Sequence, residues 1–270
     1  MPHAPNVGLN HGTFNSIILM AAAKQFDHNS GMLLEAPWII AIETSGTHGS
    51  VAVAEGGELR AEAPLSNTTR HATDLLPTMD CLCRTCGWRP GALQHCYLSI
   101  GPGSFTGLRV AVTVGRHLAL AAGARLVAVP TLAVIAEEAR PAVPRDAHLA
   151  VMLDARRGHV FGAVFRNDVS GMTALRPVEM IEPGTLLKSA PRPCWVTGEG
   201  AVAHQDAIDQ SRLPLIDEPL RRPRARSVHR LGWRLAQDGC FVDPSTLIPH
   251  YVRKPEPVEI LERAPRQEHR

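Results

Sequence analysis

Trp38-Ile-Ile-Ala-Ile-Glu43 opens the patterned part of a chain of 270 residues. It is an almost continuous apolar run, the signature of a strand buried on both faces. The turn Thr44 to Gly49 is rich in Gly, Ser and Thr, and Ser50 to Ala54 is a second strand. Glu55-Gly56-Gly57 turns again, and Glu58 to Leu65 is a third. Three strands joined this tightly must pair antiparallel, because parallel neighbours need a crossover of a dozen or more residues. After Pro141 and Pro144 the opening returns: Ala150-Val-Met-Leu-Asp154, a turn through Ala155-Arg-Arg-Gly158, then Val160 to Phe165. Asp154 falls where Glu43 fell, at the end of the leading strand. The coincidence suggests duplication.

Between the two hairpins the period changes. Leu75, Leu76, Met79, Leu82, Cys83 and Cys86 recur at helical spacing, which predicts a helix over Ala72–Cys86. Ser66 to Thr69 offer N-caps, Gly87 ends the helix, and Pro77 is expected to kink it or shift its start. A strand (Cys96–Ile100), a glycine loop, a helix (Phe105–Ala122, closed by Gly123), a strand (Leu126–Val129) and a helix (Leu132–Arg140) follow. A further helix is predicted from Arg226 to Gln237. The pattern implies an α/β domain pair. Residues 37–142 form the first domain, with a helix near 226–238 packing back on it. Residues 143–253 form a degenerate second copy, and 254–270 a flexible tail. Residues 1–36 hold one short apolar patch, Ile17 to Ala23, with no basic stretch before it as a secretory signal requires. They read as a disordered extension or a mis-assigned start, with Met32 as the initiator.

Composition narrows the function classes. Hydrophobic residues are 44% and charged residues 20%, so the chain is globular. Twenty-eight basic and 26 acidic residues leave +2, no field to draw the whole protein to nucleic acid or lipid. Val110 to Val129, the longest apolar stretch, is broken by Arg116, His117 and Arg125, which excludes a membrane span. Cys81, Cys83 and Cys86 have no matching Cys/His pair at zinc spacing and read as helix packing, with free thiols that fit a reducing cytoplasm.

Gly101-Pro-Gly-Ser-Phe-Thr-Gly-Leu-Arg109 is the most distinctive segment. A strand enters and a helix leaves, so Ser104 is either the helix N-cap or part of an anion contact. The segment is not a Walker A loop, for it has no lysine; not a dinucleotide fingerprint, since position 106 is Thr and the last glycine comes one residue late; and not a G-x-S-x-G elbow, since Pro102 and Thr106 flank Ser104 at two residues.

With Ile42-Glu-Thr-Ser45, His71, Leu75-Leu76-Pro77, Leu153-Asp-Ala-Arg156 and Gly158, this segment resembles the TsaB (YeaZ) family of bacterial tRNA threonylcarbamoyladenosine biosynthesis subunits. Gly198-Glu-Gly200 and Pro249-His-Tyr-Val-Arg253 fit more loosely. The resemblance implies a duplicated ribonuclease-H-like fold, shared with actin, sugar kinases and heat-shock chaperones. It implies a non-catalytic, cytoplasmic scaffold that dimerises with TsaD, joins TsaE in a larger complex, and supports threonylcarbamoyl transfer to adenosine 37 of tRNAs reading ANN codons. It implies no cofactor of its own, with an adenine nucleotide at a shared interface. Catalysts of the TsaD type carry a metal-binding H-x-x-x-H where this chain has Thr131 and Ile135. The other reading is an autonomous enzyme of the same fold: an ATPase, small-molecule kinase or metallopeptidase.

Candidate site residues follow from these readings. The partner interface is expected at His71, Leu75, Met79, Leu82, Leu108, Val112 and Leu118, because the helix from Phe105 is apolar nearly all round and one sheet covers one side. His71 has Asp74 nearby but no second histidine one turn on. Nucleotide or anion contacts are expected at Glu43, Ser45, Ser104 and Asp154; the two acids would reach magnesium through a nucleotide, or cap their own turns. Arg221, Arg222, Arg224, Arg226, Arg230 and Arg234 form a basic run that either meets tRNA phosphate or is a solvated loop and helix face.

Overall fold

The computed structural model describes residues 36–65, 71–88 and 91–252. Two sheets form the frame. In the first, β1 (Trp38–Glu43), β2 (Ser50–Glu55) and β3 (Glu58–Pro64) make an antiparallel meander, and β4 (Leu93–Ser99) and β5 (Arg125–Val129) continue in parallel on the other side of β1. The order is β3-β2-β1-β4-β5.

The second sheet repeats this plan. β6 (His148–Arg156) pairs antiparallel with β7 (His159–Asn167), whose far edge takes β8 (Met172–Ala174) and β9 (Glu179–Ile181), while β10 (Cys194–Thr197) runs parallel to β6. Here β6 stands for β1 and β10 for β4. The counterpart of β5 has shrunk to one parallel bridge, Val196 to Leu215. β8, β9 and β10 have only three or four residues each, too few to show a period in the sequence.

Helices fill the layers between. α1 (His71–Thr85) and α2 (Phe105–Ala122) cover one face of the first sheet, placing Leu75, Met79, Leu82, Ala111 and Val112 against Ile40, Ile42, Val51 and Val53. α1 runs through Pro77. α3 (Thr131–Ala139) and α7 (Ala225–Gln237) cover the other face, where Val134, Ala225 and Val228 meet Ile39, Ala41, Tyr97 and Val129. α3 is shared: Leu132, Ile135, Ala136 and Ala139 pack on the second sheet through Leu149, Val151, Phe161 and Phe165. A helix squeezed between two sheets must be apolar almost all round, and α3 is, apart from Thr131, Glu137 and Glu138. The outer face of the second sheet is closed by α4 (Pro183–Ser189), α5 (Gly200–Ala203) and α6 (Gln205–Ser211).

The arginine run is bound by groups of this chain, with Arg224 and Arg230 exposed and the other four half-buried. Arg226, Arg230 and Arg234 stand four apart on α7, hence on one face. Arg226 is ion-paired with Glu138, and Ser227 donates to the same carboxylate at 2.7 Å. Arg230 and Arg234 reach Glu137 at 3.5 and 2.8 Å. Arg222 pairs with Glu218, Arg224 lies 3.7 Å from Glu62, and Arg221 donates to the Ile216 carbonyl. Two buried acids on α3 thus require the cations of α7, which welds the last helix onto the first domain's sheet.

Among the described residues no group of three His, Cys, Asp or Glu could hold a metal ion, Cys81, Cys83 and Cys86 included. Burial pushes the Cys83 thiol up to about 11, with Cys86 close by.

Candidate functional site

The two strand-end acids differ. Glu43 is fully buried; its Oε1 accepts from the backbone N–H and hydroxyl of Ser45, and its Oε2 has no hydrogen-bond partner. Burial pushes its carboxyl above the ordinary glutamate range, and the hydroxyls of Ser45 and Ser99 temper the rise. The Ser99 hydroxyl is itself buried without a partner of proper geometry. Asp154 is exposed, and its Oδ1 accepts from the Arg156 N–H at 2.8 Å, capping its own turn.

The glycine segment owes its glycines to the first hairpin. A Cβ on Gly103 would lie 2.4 Å from the Ser45 carbonyl oxygen, and one on Gly107 would lie 1.9 Å from that of Thr44. Three hydrogen bonds draw the turn and helix together. The Ser104 N–H donates to the Ser45 carbonyl at 2.8 Å, the Thr44 hydroxyl to the Gly107 carbonyl at 2.8 Å, and the Gly107 N–H to Ser104 Oγ at 3.2 Å. Ser104 is therefore the N-cap of α2, and Ser45 is its docking partner. The second half repeats the device: Cβ atoms on Gly198 and Gly200 would meet the Met152 carbonyl oxygen at 2.1 Å and the Asp154 N at 2.7 Å.

Thr131 and Ile135 are both fully buried. Thr131 Oγ1 accepts from the Gly101 N–H at 3.1 Å while the Thr131 N–H donates to the Gly101 carbonyl at 3.0 Å, fixing the start of α3 to the glycine loop. Ile135 lies in the core beside the second sheet.

Of the expected interface residues, Leu75, Met79, Leu82, Leu108 and Val112 are buried within this chain and offer no surface. Leu118 is half-buried, and the side chain of His71 lies outside the described residues. The large apolar residues that α1 and α2 do expose are Leu76, at 56%, Leu120, at 87%, and Phe105, at the start of α2. Helical spacing picks out Leu76 together with Leu75 and Met79; only packing says which apolar residues face outward.

The sequence reading missed the contact that closes the two halves. Thr47, in the first hairpin turn, donates its N–H and hydroxyl to Glu199, after β10, at 3.1 and 2.7 Å. Beside them Val202, Glu218, Arg221 and Arg222 complete a recess of about 200 Å³. Residues 1–35, Ser66 to Thr69 and the tail from 253 lie outside the described residues. No helix among the described residues is long and apolar enough to cross a membrane.

Set against known proteins, residues 62–191 match the family model described as TsaD, tRNA N6-adenosine threonylcarbamoyltransferase. The chain is 29% identical over 223 residues to the tRNA threonylcarbamoyladenosine biosynthesis protein TsaB of Escherichia coli (strain K12), covering 80% of this chain and 94% of that one. It is 26% identical over 224 residues to the protein of the same description from Bacillus subtilis (strain 168), covering 81% and 95%. Among solved structures, YeaZ from Pseudomonas aeruginosa aligns with a TM-score of 0.68 at 24% identity, over 80% of this chain and 99% of the other. The architecture is thus the duplicated ribonuclease-H-like α/β fold.

Proposed function

We propose, for a chain that belongs to the TsaB (YeaZ) family, a role in tRNA threonylcarbamoyladenosine biosynthesis as the non-catalytic partner of TsaD. The place in that biosynthesis rests on the curated relatives. The finer reading is a cytoplasmic scaffold that dimerises with TsaD, meets TsaE in the larger complex, and permits threonylcarbamoyl transfer to adenosine 37 of tRNAs reading ANN codons. One observation carries it. At the positions of the catalysts' H-x-x-x-H stand a threonine whose hydroxyl is spent on Gly101 and an isoleucine sunk in the core. Neither supplies imidazole or carboxylate to a cation. An adenine nucleotide in this reading belongs to the interface shared with TsaD.

The rival reading, an autonomous enzyme, has its own support: the matching family model is that of the transferase and spans both positions. Two measurements separate them, ATP turnover by the purified chain and threonylcarbamoyladenosine formed in tRNA with and without TsaD. Modification by the chain alone overturns the scaffold reading.

The interface moves to the exposed residues of α1 and α2. Glutamate in place of the buried Leu75 or Met79 tests folding, whereas Leu76→Glu and Leu120→Glu place a charge on an outer face. Each is expected to weaken association with TsaD by at least about tenfold, since one desolvated charge costs more than about 1.4 kcal/mol. Restoration of the modified nucleoside in cells lacking their own TsaB should fall with it, at an unchanged melting temperature. Association intact in both variants places the interface elsewhere.

A further inference from the structure

Exposed aromatic rings are scarce among the described residues. Only Phe105 and Tyr251, at 39% and 37%, stand among the exposed large apolar residues, and every other described aromatic residue is buried or half-buried. These two are neighbours: their ring centroids are 5.1 Å apart at an interplanar angle of 32°. The guanidinium of Arg109, one turn after Phe105, lies 4.7 Å from the Phe105 ring centroid. The Tyr251 phenol is raised above its ordinary range chiefly by burial, and the nearby positive charge of Arg109 tempers the rise. Ile248, 58% exposed, extends the patch along the segment that carries Tyr251.

That segment is fixed. The His250 N–H donates to the Ile100 carbonyl at 2.7 Å, and Gly101 admits the His250 carbonyl where a Cβ would lie 2.6 Å away. Arg116 donates to the carbonyls of Pro244 and Ser245, both at 2.6 Å. The two rings are therefore held on opposite sides of one junction by backbone on both sides.

Charge points to the occupant. Arg226, Arg230 and Arg234 are consumed by Glu137 and Glu138, whereas Arg109 has no ion pair with any described carboxylate. An arginine with no ion pair among the described residues, beside two exposed, positioned rings, suits an unpaired base stacked on the rings and its phosphate on the guanidinium. We propose that Phe105, Arg109 and Tyr251 form a stacking site for an unpaired nucleotide of RNA, which rests on the reading of the chain as part of a tRNA-modifying assembly. The basic stretch that the sequence offered for RNA is engaged by carboxylates and carbonyls of this chain; in this proposal the RNA-facing cation is Arg109.

Fluorescence anisotropy with the full chain tests this, using an unmodified tRNA transcript and a short single-stranded RNA as probes. Phe105→Ala and Tyr251→Ala, which leave the charge untouched, are each expected to weaken binding about 5- to 150-fold. Phe105→Tyr keeps the ring and should keep the affinity. Arg109→Gln should lower the slope of log affinity against log salt by about one phosphate's worth. Melting temperatures report whether each variant is folded; a misfolded alanine variant is replaced by Phe105→Leu, which fills the space without a ring. Absence of binding by the wild-type chain, or binding unchanged by loss of either ring, overturns the proposal. Loss of association with TsaD alone, at unchanged RNA affinity, overturns it by making the patch a protein surface. Restoration of threonylcarbamoyladenosine in depleted cells is measured separately. A chain that restores it yet binds RNA without these rings sinks only the stacking site, and one that binds through them but restores nothing sinks the scaffold reading.

Discussion

Glu43 and Asp154 end equivalent strands of two sheets laid out in the same order, yet one carboxyl is fully buried with an orphaned oxygen and the other lies in water. The difference comes from what each turn packs against. The first turn is pinned under α2 by Gly103, Gly107 and Ser104, and that contact excludes water from Glu43. The second has only the short α5 above it, so Asp154 keeps its solvent and satisfies the backbone of its own turn. An acid at a strand end is therefore not by itself a ligand-facing acid. A repeat conserves a position in the fold more readily than it conserves the chemistry there.

The glycines at the two hairpins give the sharpest contrast. Gly107→Ala would drive a Cβ into the Thr44 carbonyl at 1.9 Å, backbone against backbone, at the centre of the first half. Overpacking of this kind costs about 3 kcal/mol. The corresponding Gly200→Ala meets the Asp154 N at 2.7 Å, on a four-residue helix that can shift, and should cost about 1 kcal/mol. Urea denaturation checks both. Equal losses would show that the two turns are equally crowded and that the contrast drawn from the acids has another origin.

The weld of α7 onto α3 ranks next. Arg226→Ala leaves Glu138, 2% exposed, with the Ser227 hydroxyl as its remaining strong partner. Stranding a buried carboxylate this way costs about 3 kcal/mol, toward the lower end because the Arg226 side chain is itself a third exposed. Arg226→Ala with Glu138→Leu removes the stranded charge and should recover most of the loss. Without such recovery, the ion pair is not what holds α7 down.

These features were unequally legible in the sequence. The two hairpins show in the residues themselves, because a doubly buried strand must be continuously apolar and its turn must carry glycine. The helix from Phe105 to Ala122 was readable at both ends, through Ser104 and Gly123. Strands β8 to β10 were not, since three or four residues are too few to show a period. The outward direction of Leu76 and Leu120, as against the inward one of Leu75 and Met79, depends on which face meets the sheet, and spacing alone leaves both faces of α1 apolar. The weld carried a signal that went unread: Glu137 and Glu138 are the two charges of the nine-residue α3, and Arg226, Arg230 and Arg234 recur at one-turn spacing. An acid pair inside an apolar helix needs cations from somewhere, and a four-residue arginine ladder is one place to look.

The smallest effect isolates the acids themselves. A carboxyl whose pKa is raised by burial holds its proton in the folded state at pH values where the unfolded chain has released it. Above the unfolded value of 4.5 the native state then binds more protons than the unfolded one, so the Glu43 contribution to stability falls as pH rises from there through the raised folded value. Glu43→Gln is a neutral near-isostere, which abolishes this loss but presents an amide NH₂ where the carboxyl presented one proton. Relative to the wild-type chain, the variant is expected to gain stability as pH rises above 4.5, by roughly 1 kcal/mol for each pH unit over which the proton is retained. Asp154→Asn keeps an oxygen for the Arg156 N–H on an exposed turn and should change stability by less than about 0.5 kcal/mol. Chemical denaturation of both variants at pH 4.5, 5.5 and 7 reads the difference. If stability relative to wild type is flat with pH in Glu43→Gln, the Glu43 proton is not held by the fold, and the two hairpins are electrostatically alike after all.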